Sequence, residues 1–175
     1  MKNAALILIF LSFLTFCSCD LLEITRNYTY EIELNVNGTQ TDFSTSLILD
    51  ATSDSSEFDQ YDHMIESAEI TKIEYTVTYF NGADDQVIRI AALDLADTDG
   101  SDRQTLCTLE EVNFSAIKDS VMELPVNYSG MDRFKAMIDD EYYMALVYFN
   151  GETNNTPVDF RIKFILTVTV KGNVI

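Results

Sequence analysis

The stretch VDFRIKFILTVTV at residues 158–170 carries the strongest strand pattern in the chain. Every second side chain is apolar: Val158, Phe160, Ile162, Phe164, Leu166, Val168 and Val170. The alternate positions are charged or hydroxyl-bearing, except for Ile165. Because successive residues of a strand face opposite sides of a sheet, this pattern predicts a long strand with one buried face. A face this apolar requires a second sheet packed over it.

The first strand pattern, at residues 28–36, shows the same alternation of apolar with polar side chains. We expect it to pair with the strand at 158–170, which would tie both ends of the domain into one sheet. Further strands are predicted near 43–49, 70–79, 87–95, 105–114 and 142–149. In the strand near 70–79, Ile73, Tyr75, Val77 and Tyr79 share the apolar face.

Helical spacing of apolar residues interrupts the strands twice. Phe58, Tyr61, Ile65 and Ala68 predict a helix over 55–67, and Met131, Phe134 and Ile138 predict another over 131–139. The segment 114–123 fits either a short helix or a strand. Short strands joined by Asn and Gly turns therefore predict a mainly β domain. The expected fold is an antiparallel β-sandwich of immunoglobulin-like architecture with two short helices. A ferredoxin-like α+β layer is the alternative, although the strand-to-helix ratio is high for it.

One tetrapeptide occurs twice. Tyr-Phe-Asn-Gly stands at 79–82 and again at 148–151, each time at the end of a predicted strand. The flanking sequences do not align, so two similar hairpins in one sandwich explain the repeat without an internal duplication.

The first 20 residues, MKNAALILIFLSFLTFCSCD, have the layout of a secretory signal. Lys2 supplies one positive charge, and an apolar run of 13 residues follows at 4–16. As a helix this run would reach roughly 20 Å, short of the ~30 Å hydrocarbon core of a bilayer. The pattern therefore indicates a cleaved signal rather than a transmembrane anchor.

The end of this run, Phe16-Cys17-Ser18-Cys19, resembles the cleavage box of bacterial lipoproteins, most closely the loose form found in Bacteroidota. The resemblance implies that a Cys preceded by a small residue is acylated and becomes the mature N-terminus. Cys19, preceded by Ser18, fits best, and Cys17 is the second choice because Phe16 is bulky. An ordinary secretory signal that contains Cys is the alternative. The resulting organisation is a signal peptide at 1–18, a lipidated Cys and short tether at 19–26, and one β-sandwich domain at 27–175.

Composition limits the partners. Removal of residues 1–18 leaves 157 residues with 10 basic and 29 acidic side chains, a net charge of −19. Such a chain repels nucleic acid and anionic lipid surfaces. The charge is compatible with a cation or a basic partner but does not identify one.

Few side chains suit catalysis or metal binding. The mature chain has one His, His63, and one Cys besides the lipidated residue, Cys107, so neither a Cys-His pair nor a zinc site is expected. Cys107 lies in an alternating segment and is predicted to be a buried apolar side chain. Asp97, Asp99 and Asp102 surround Gly100 as in calcium loops, but the EF-hand register fails. We therefore expect no enzyme activity and no cofactor, and keep the three aspartates as calcium candidates.

Two further features concern sugars. Asp119-Ser120-Val121 resembles the Bacteroidota O-glycosylation sequon, which would make Ser120 a modified residue. Nine Tyr offer stacking surfaces for carbohydrate, with Tyr128, Tyr142 and Tyr143 least accounted for by the apolar faces.

The mature region is similar to small β-rich lipoproteins of Bacteroidota that have no assigned activity. This similarity rests on the stretch ITKIEYTVTYFNG at 70–82 and on the long C-terminal strand. The predicted function is a lipid-anchored protein of the cell envelope, in the outer membrane, that acts by binding or scaffolding an unknown protein or glycan partner. A surface carbohydrate-binding or adhesion module is the alternative.

Overall fold

A computed structural model describes residues 22–50, 65–139 and 144–174 of the chain. The predicted helix at 55–67 lies mostly outside these residues, and its last three positions belong to a strand. The described elements are β1 (Leu22–Gly38), β2 (Asp42–Asp50), β3 (Ile65–Phe80), β4 (Val87–Ala96), β5 (Gln104–Asn113), α1 (Phe114–Ile117), β6 (Met122–Leu124), α2 (Tyr128–Asp139), β7 (Met144–Thr153) and β8 (Val158–Val174).

The strands form two four-stranded antiparallel sheets. Sheet A has the order β1-β8-β3-β6 and sheet B the order β2-β7-β4-β5. The predicted antiparallel β-sandwich is confirmed. Each sheet joins strands that are distant in the sequence, and eight strands connected in this order form the jelly-roll type of sandwich. Neither described helix is a long apolar segment of the kind that could span a bilayer.

The predicted pairing of the first and last strands is confirmed over their whole length. Leu22 is opposite Val174 and Gly38 is opposite Val158. β1 therefore begins within the segment 19–26 that the sequence assigned to a tether, because residues 22–26 pair with 170–174 of β8. The strand pairing makes these residues part of the domain.

The inner faces of the sheets carry the core that the alternation predicted. The side chains of Ile162, Phe164, Leu166 and Val168 in β8 are fully buried. Phenylalanine rings from both sheets meet between them. The centroid of Phe160 is 4.6 Å from that of Phe114 and 5.4 Å from that of Phe43.

The helix α2 covers one end of the sandwich. Its residues Phe134 and Met137 are fully buried, and the ring of Phe134 meets Tyr30 edge-on at 6.0 Å between centroids. At Gly130 the helix touches β5 so closely that a Cβ would lie 2.5 Å from the Cα of Leu106. The predicted helix at 131–139 is confirmed and begins three residues earlier, at Tyr128. The ambiguous segment 114–123 contains both forms, a short helix followed by the start of β6.

Antiparallel pairing gives the domain two distinct ends. We call the end at Leu22 and Val174 the N-terminal end; it also holds α2 and the β4–β5 loop at 97–103. We call the other end the distal end; it carries the loops at 39–41, 81–86 and 154–157. These ends are separated by the length of β1, whose 17 residues span roughly 55 Å.

Candidate functional site

A cluster of polar side chains lies on the outer face of sheet A at the distal end. Two rows cross the three strands there: Tyr79 is opposite Arg161, which is opposite Asn35. In the next row the Asn81 N–H donates to the Asp159 carbonyl, and Asp159 is opposite Asn37. We call these six residues the distal patch: Asn35, Asn37, Tyr79, Asn81, Asp159 and Arg161.

Hydrogen bonds hold the side chains of the distal patch in place. Asn81 Nδ2 donates to Asp159 Oδ2 at 2.9 Å, and the Tyr79 hydroxyl donates to the same oxygen at 3.3 Å. The amide of Asn81, with smaller contributions from Asn37 and Tyr79, holds the pKa of Asp159 below its usual value, so this carboxyl is ionised at neutral pH. Arg161 Nε donates to Asn35 Oδ1 at 2.8 Å.

The loops beside the distal patch are fastened to one another. The buried side chain of Gln86 donates from Nε2 to the Asn155 and Pro157 carbonyls at 2.8 and 3.1 Å. Asn154 accepts from the Val87 N–H through Oδ1 at 2.7 Å and donates to the Asp85 carbonyl at 3.0 Å. A surface supported in this way is pre-organised, which lowers the entropic cost of binding a ligand.

A cleft adjoins the distal patch where the edge strands β1 and β2 meet. Its volume is about 490 Å³. Its polar lining side chains include Asn35, Asn37, Thr39, Gln40, Asp42 and Ser44. Two patch residues thus also line the cleft, so one ligand could contact both.

Tyr79 is the residue that sequence reasoning misplaced. The alternation put it on the same buried face as Tyr75 and Val77, but its exposed fraction is 43%. A register shift between Val77 and Tyr79 leaves one extra residue in β3 relative to β8, so the side chains after it point to the opposite faces. Tyr79 therefore lies on the outer face. The repeated tetrapeptide Tyr-Phe-Asn-Gly was the sequence feature that could have indicated this placement. In both copies the Tyr and the Asn lie on the outer face of a sheet, and the Phe between them packs against the core.

The second copy of the tetrapeptide forms a closed cluster on sheet B. The guanidinium of Arg103 lies 4.2 Å from the ring centroid of Tyr148. It also donates a hydrogen bond to Asn150 Oδ1. Arg103 Nε also donates to Oδ2 of the buried Asp94 at 2.7 Å. We call these four residues the Arg103 cluster. Its arginine covers the tyrosine ring, whereas in the distal patch Arg161 binds Asn35 and Glu33 instead.

The calcium candidates lie in the β4–β5 loop at the N-terminal end. Asp97 forms an ion pair with the buried Arg133 of α2, and Asp102 lies 3.8 Å from the same guanidinium. Asp99 accepts from Ser101, which lowers the pKa of Asp99. Within residues 22–50, 65–139 and 144–174, no three acidic, His or Cys side chains are grouped to hold a metal. An arginine therefore occupies the place that the sequence suggested for a cation.

Cys107 is buried and free, as predicted, with an exposed fraction of 1%. Burial, reinforced by the charge of Asp94, raises the pKa of its thiol to about 12. We expect Ellman's reagent to leave Cys107 unmodified in the native protein at pH 8 and to modify it once guanidinium chloride unfolds the chain. Rapid native reaction of this thiol would contradict the burial.

The other predicted site residues are placed as follows. Ser120 is exposed in the loop between α1 and β6, and the next residue, Val121, is 63% exposed. The lipidation candidates Cys19 and Cys17 lie outside the described residues, as do His63, Tyr142 and Tyr143; Tyr128 begins α2.

Comparison with known proteins gives no family. No protein-family model matches the chain, and no curated protein matches it. The chain is similar in structure to Desmodium yellow mottle tymovirus, at 12% sequence identity over 88% of this chain and 90% of that chain, with a TM-score of 0.41. It is also similar to the decameric BFDV capsid protein, at 9% identity over 85% and 99%, with a TM-score of 0.40. These likenesses are too distant to support a functional inference.

Proposed function

We propose that this protein is lipid-anchored through Cys19 in the cell envelope, at the outer membrane, and acts there by binding or scaffolding rather than by catalysis. The observation that supports this most directly is the position of the distal patch. β1 begins at Leu22, three residues after Cys19, and Asn37 is 15 residues further along the same strand. At strand spacing this places the patch roughly 50 Å from the anchored end.

The charges support a partner other than nucleic acid. At least six of the ten basic residues of the mature chain form ion pairs with carboxylates among the described residues: Lys72, Arg89, Arg103, Arg133, Arg161 and Lys163. The many remaining acidic side chains give the surface a negative potential, which opposes contact with phosphate backbones.

The anchor is tested by intact-mass analysis of the protein purified from membranes. We expect a chain that begins at Cys19 and carries acyl groups, because stable anchoring requires more than one acyl chain. Cys19→Ala should abolish the acyl mass and release the protein from the membrane fraction, whereas Cys17→Ala should change neither. A chain that begins at Met1, or a trimmed chain without acyl mass, would rule the anchor out.

A surface carbohydrate-binding module is the second candidate, and the exposed ring of Tyr79 beside Asn and Asp side chains favours it. Carbohydrate recognition combines an aromatic surface with a few well-placed polar groups. Dose-dependent binding of the labelled mature protein to a glycan array would support this candidate over a protein-scaffolding role.

A further inference from the structure

We propose that the distal patch is a binding site for a neutral glycan, with Tyr79 as the stacking surface and Asp159 with its neighbouring amides as the partners of the sugar hydroxyls. This inference rests on the second candidate function above. It does not depend on how the protein is anchored.

The aromatic surface comes from Tyr79. Five large apolar side chains are strongly exposed among the described residues: Ile48, Tyr79, Ile90, Val121 and Met122. Tyr79 is the aromatic member of this set, and its hydroxyl is held by the Asp159 carboxylate. A pyranose ring has an apolar face of C–H bonds, which packs against a fixed aromatic ring with little loss of side-chain entropy.

The polar groups suit adjacent hydroxyls. A sugar diol offers donors and acceptors side by side, and the amides of Asn35, Asn37 and Asn81 likewise provide both on each side chain. Asp159, kept ionised by its neighbours, is a strong acceptor, and hydrogen bonds to a charged group are stronger than neutral ones. The patch therefore supplies complementary groups along two adjacent rows.

The size and charge of the region select the kind of glycan. The cleft of about 490 Å³ adjoins the patch through Asn35 and Asn37 and falls within the usual range of ligand sites, which favours a chain of several sugars over a single one. Glu33 and Asp42 flank the patch and the cleft, and the chain carries a net charge of −18. An anionic glycan would be repelled there, so a neutral one is expected.

The Arg103 cluster provides an internal comparison. It contains the same residue types, Tyr, Asn, Asp and Arg, but Arg103 covers the ring of Tyr148. Arg103 bonds Asp94 Oδ2 and Asn150 Oδ1 and thereby fastens the β4–β5 loop to the sheet. In the distal patch the arginine is engaged elsewhere and the ring is open, so binding is assigned to Tyr79 and a structural role to Tyr148.

The test is isothermal titration calorimetry on the mature protein in a detergent without sugar groups. Hexasaccharides of glucose, mannose, galactose and xylose are the neutral probes, and hexagalacturonate is the anionic probe. We expect at least one neutral hexasaccharide to bind and hexagalacturonate to bind more weakly than that ligand. Tyr79→Ala and Asp159→Asn should each lower the affinity for it about tenfold, the effect of losing one good contact, with only a small change in melting temperature, because both side chains lie on the outer face of sheet A.

Tyr148→Ala is the matched control. It should lower the melting temperature, because it removes the surface on which Arg103 lies, but leave the affinity unchanged. Failure of every neutral hexasaccharide to bind would overturn the proposal, as would unchanged affinity in Tyr79→Ala or tighter binding of hexagalacturonate. None of these results affects the acylation measurement, so failure of the glycan site and failure of the anchor are distinguishable.

Discussion

Replacement of Phe160 by alanine is expected to lower the free energy of unfolding by about 3–5 kcal/mol, the usual cost of removing a buried aromatic ring. Phe160 is 2% exposed and its ring contacts those of Phe43, Phe114 and Phe149, with centroids 4.6 to 6.4 Å apart. These rings come from both sheets and from α1, so the cavity cannot close by the movement of one side chain. Urea unfolding followed by circular dichroism measures the loss.

Ile165→Ala is the control for Phe160→Ala, because it lies in the same strand but on the outer face. Ile165 is partly exposed, and its neighbours across the sheet are Glu31 and Glu74. We expect it to cost about 1 kcal/mol or less, since surface substitutions have small effects. Similar losses at Phe160 and Ile165 would contradict the assignment of the inner and outer faces of β8.

The strands were predictable because burial on one side of a sheet imposes a period of two on the sequence. That rule correctly placed the alternate side chains from Phe160 to Val168 in the core. It does not determine which distant strands become neighbours, since β3 and β8 meet only after the whole chain has been arranged. The alternation therefore predicted a sandwich, whereas the jelly-roll order of its strands became known only from the structure.

The distal patch was harder to predict than the core. Its central residue, Tyr79, follows a register shift, and one extra residue in a strand reverses the faces of everything after it. Asn35 and Asp159 join the patch through pairing between strands more than 100 residues apart in the sequence. The sequence alone shows Asn35 and Asp159 as ordinary outward-facing polar side chains.

The acidic loop shows how a local motif can be misleading without its surroundings. Asp97, Asp99 and Asp102 offer the oxygen ligands that calcium prefers, but Arg133, far along the chain, provides the positive charge. Arg133 was predicted only as part of a helix. Its burial follows from the docking of α2 on β5, which the sequence pattern of the helix does not specify.

Asp97→Ala should lower the free energy of unfolding by about 2 kcal/mol, less than the ~3–5 kcal/mol for breaking a fully buried ion pair, because Asp97 itself is 39% exposed. The reason is that Arg133, 7% exposed, keeps its charge and, among the described residues, retains Asp102 at 3.8 Å as its remaining ion-pair partner. The double variant Asp97→Ala/Arg133→Met should instead lie within about 1 kcal/mol of the native protein, because an apolar side chain of similar length removes the buried charge altogether. Urea unfolding of the native protein, both single variants and the double variant completes the cycle.

The double-mutant cycle separates the interaction energy between Asp97 and Arg133 from the effect of each side chain alone. Arg133 Nε is buried without a hydrogen-bond partner among the described residues, so the native guanidinium already carries part of its desolvation cost. Methionine at 133 removes that cost and keeps the packing of α2 over the N-terminal end of the core. If the effects of the two single substitutions simply added in the double variant, Arg133 and Asp97 would not be coupled. The loop at 97–102 would then depend on its own turn rather than on α2.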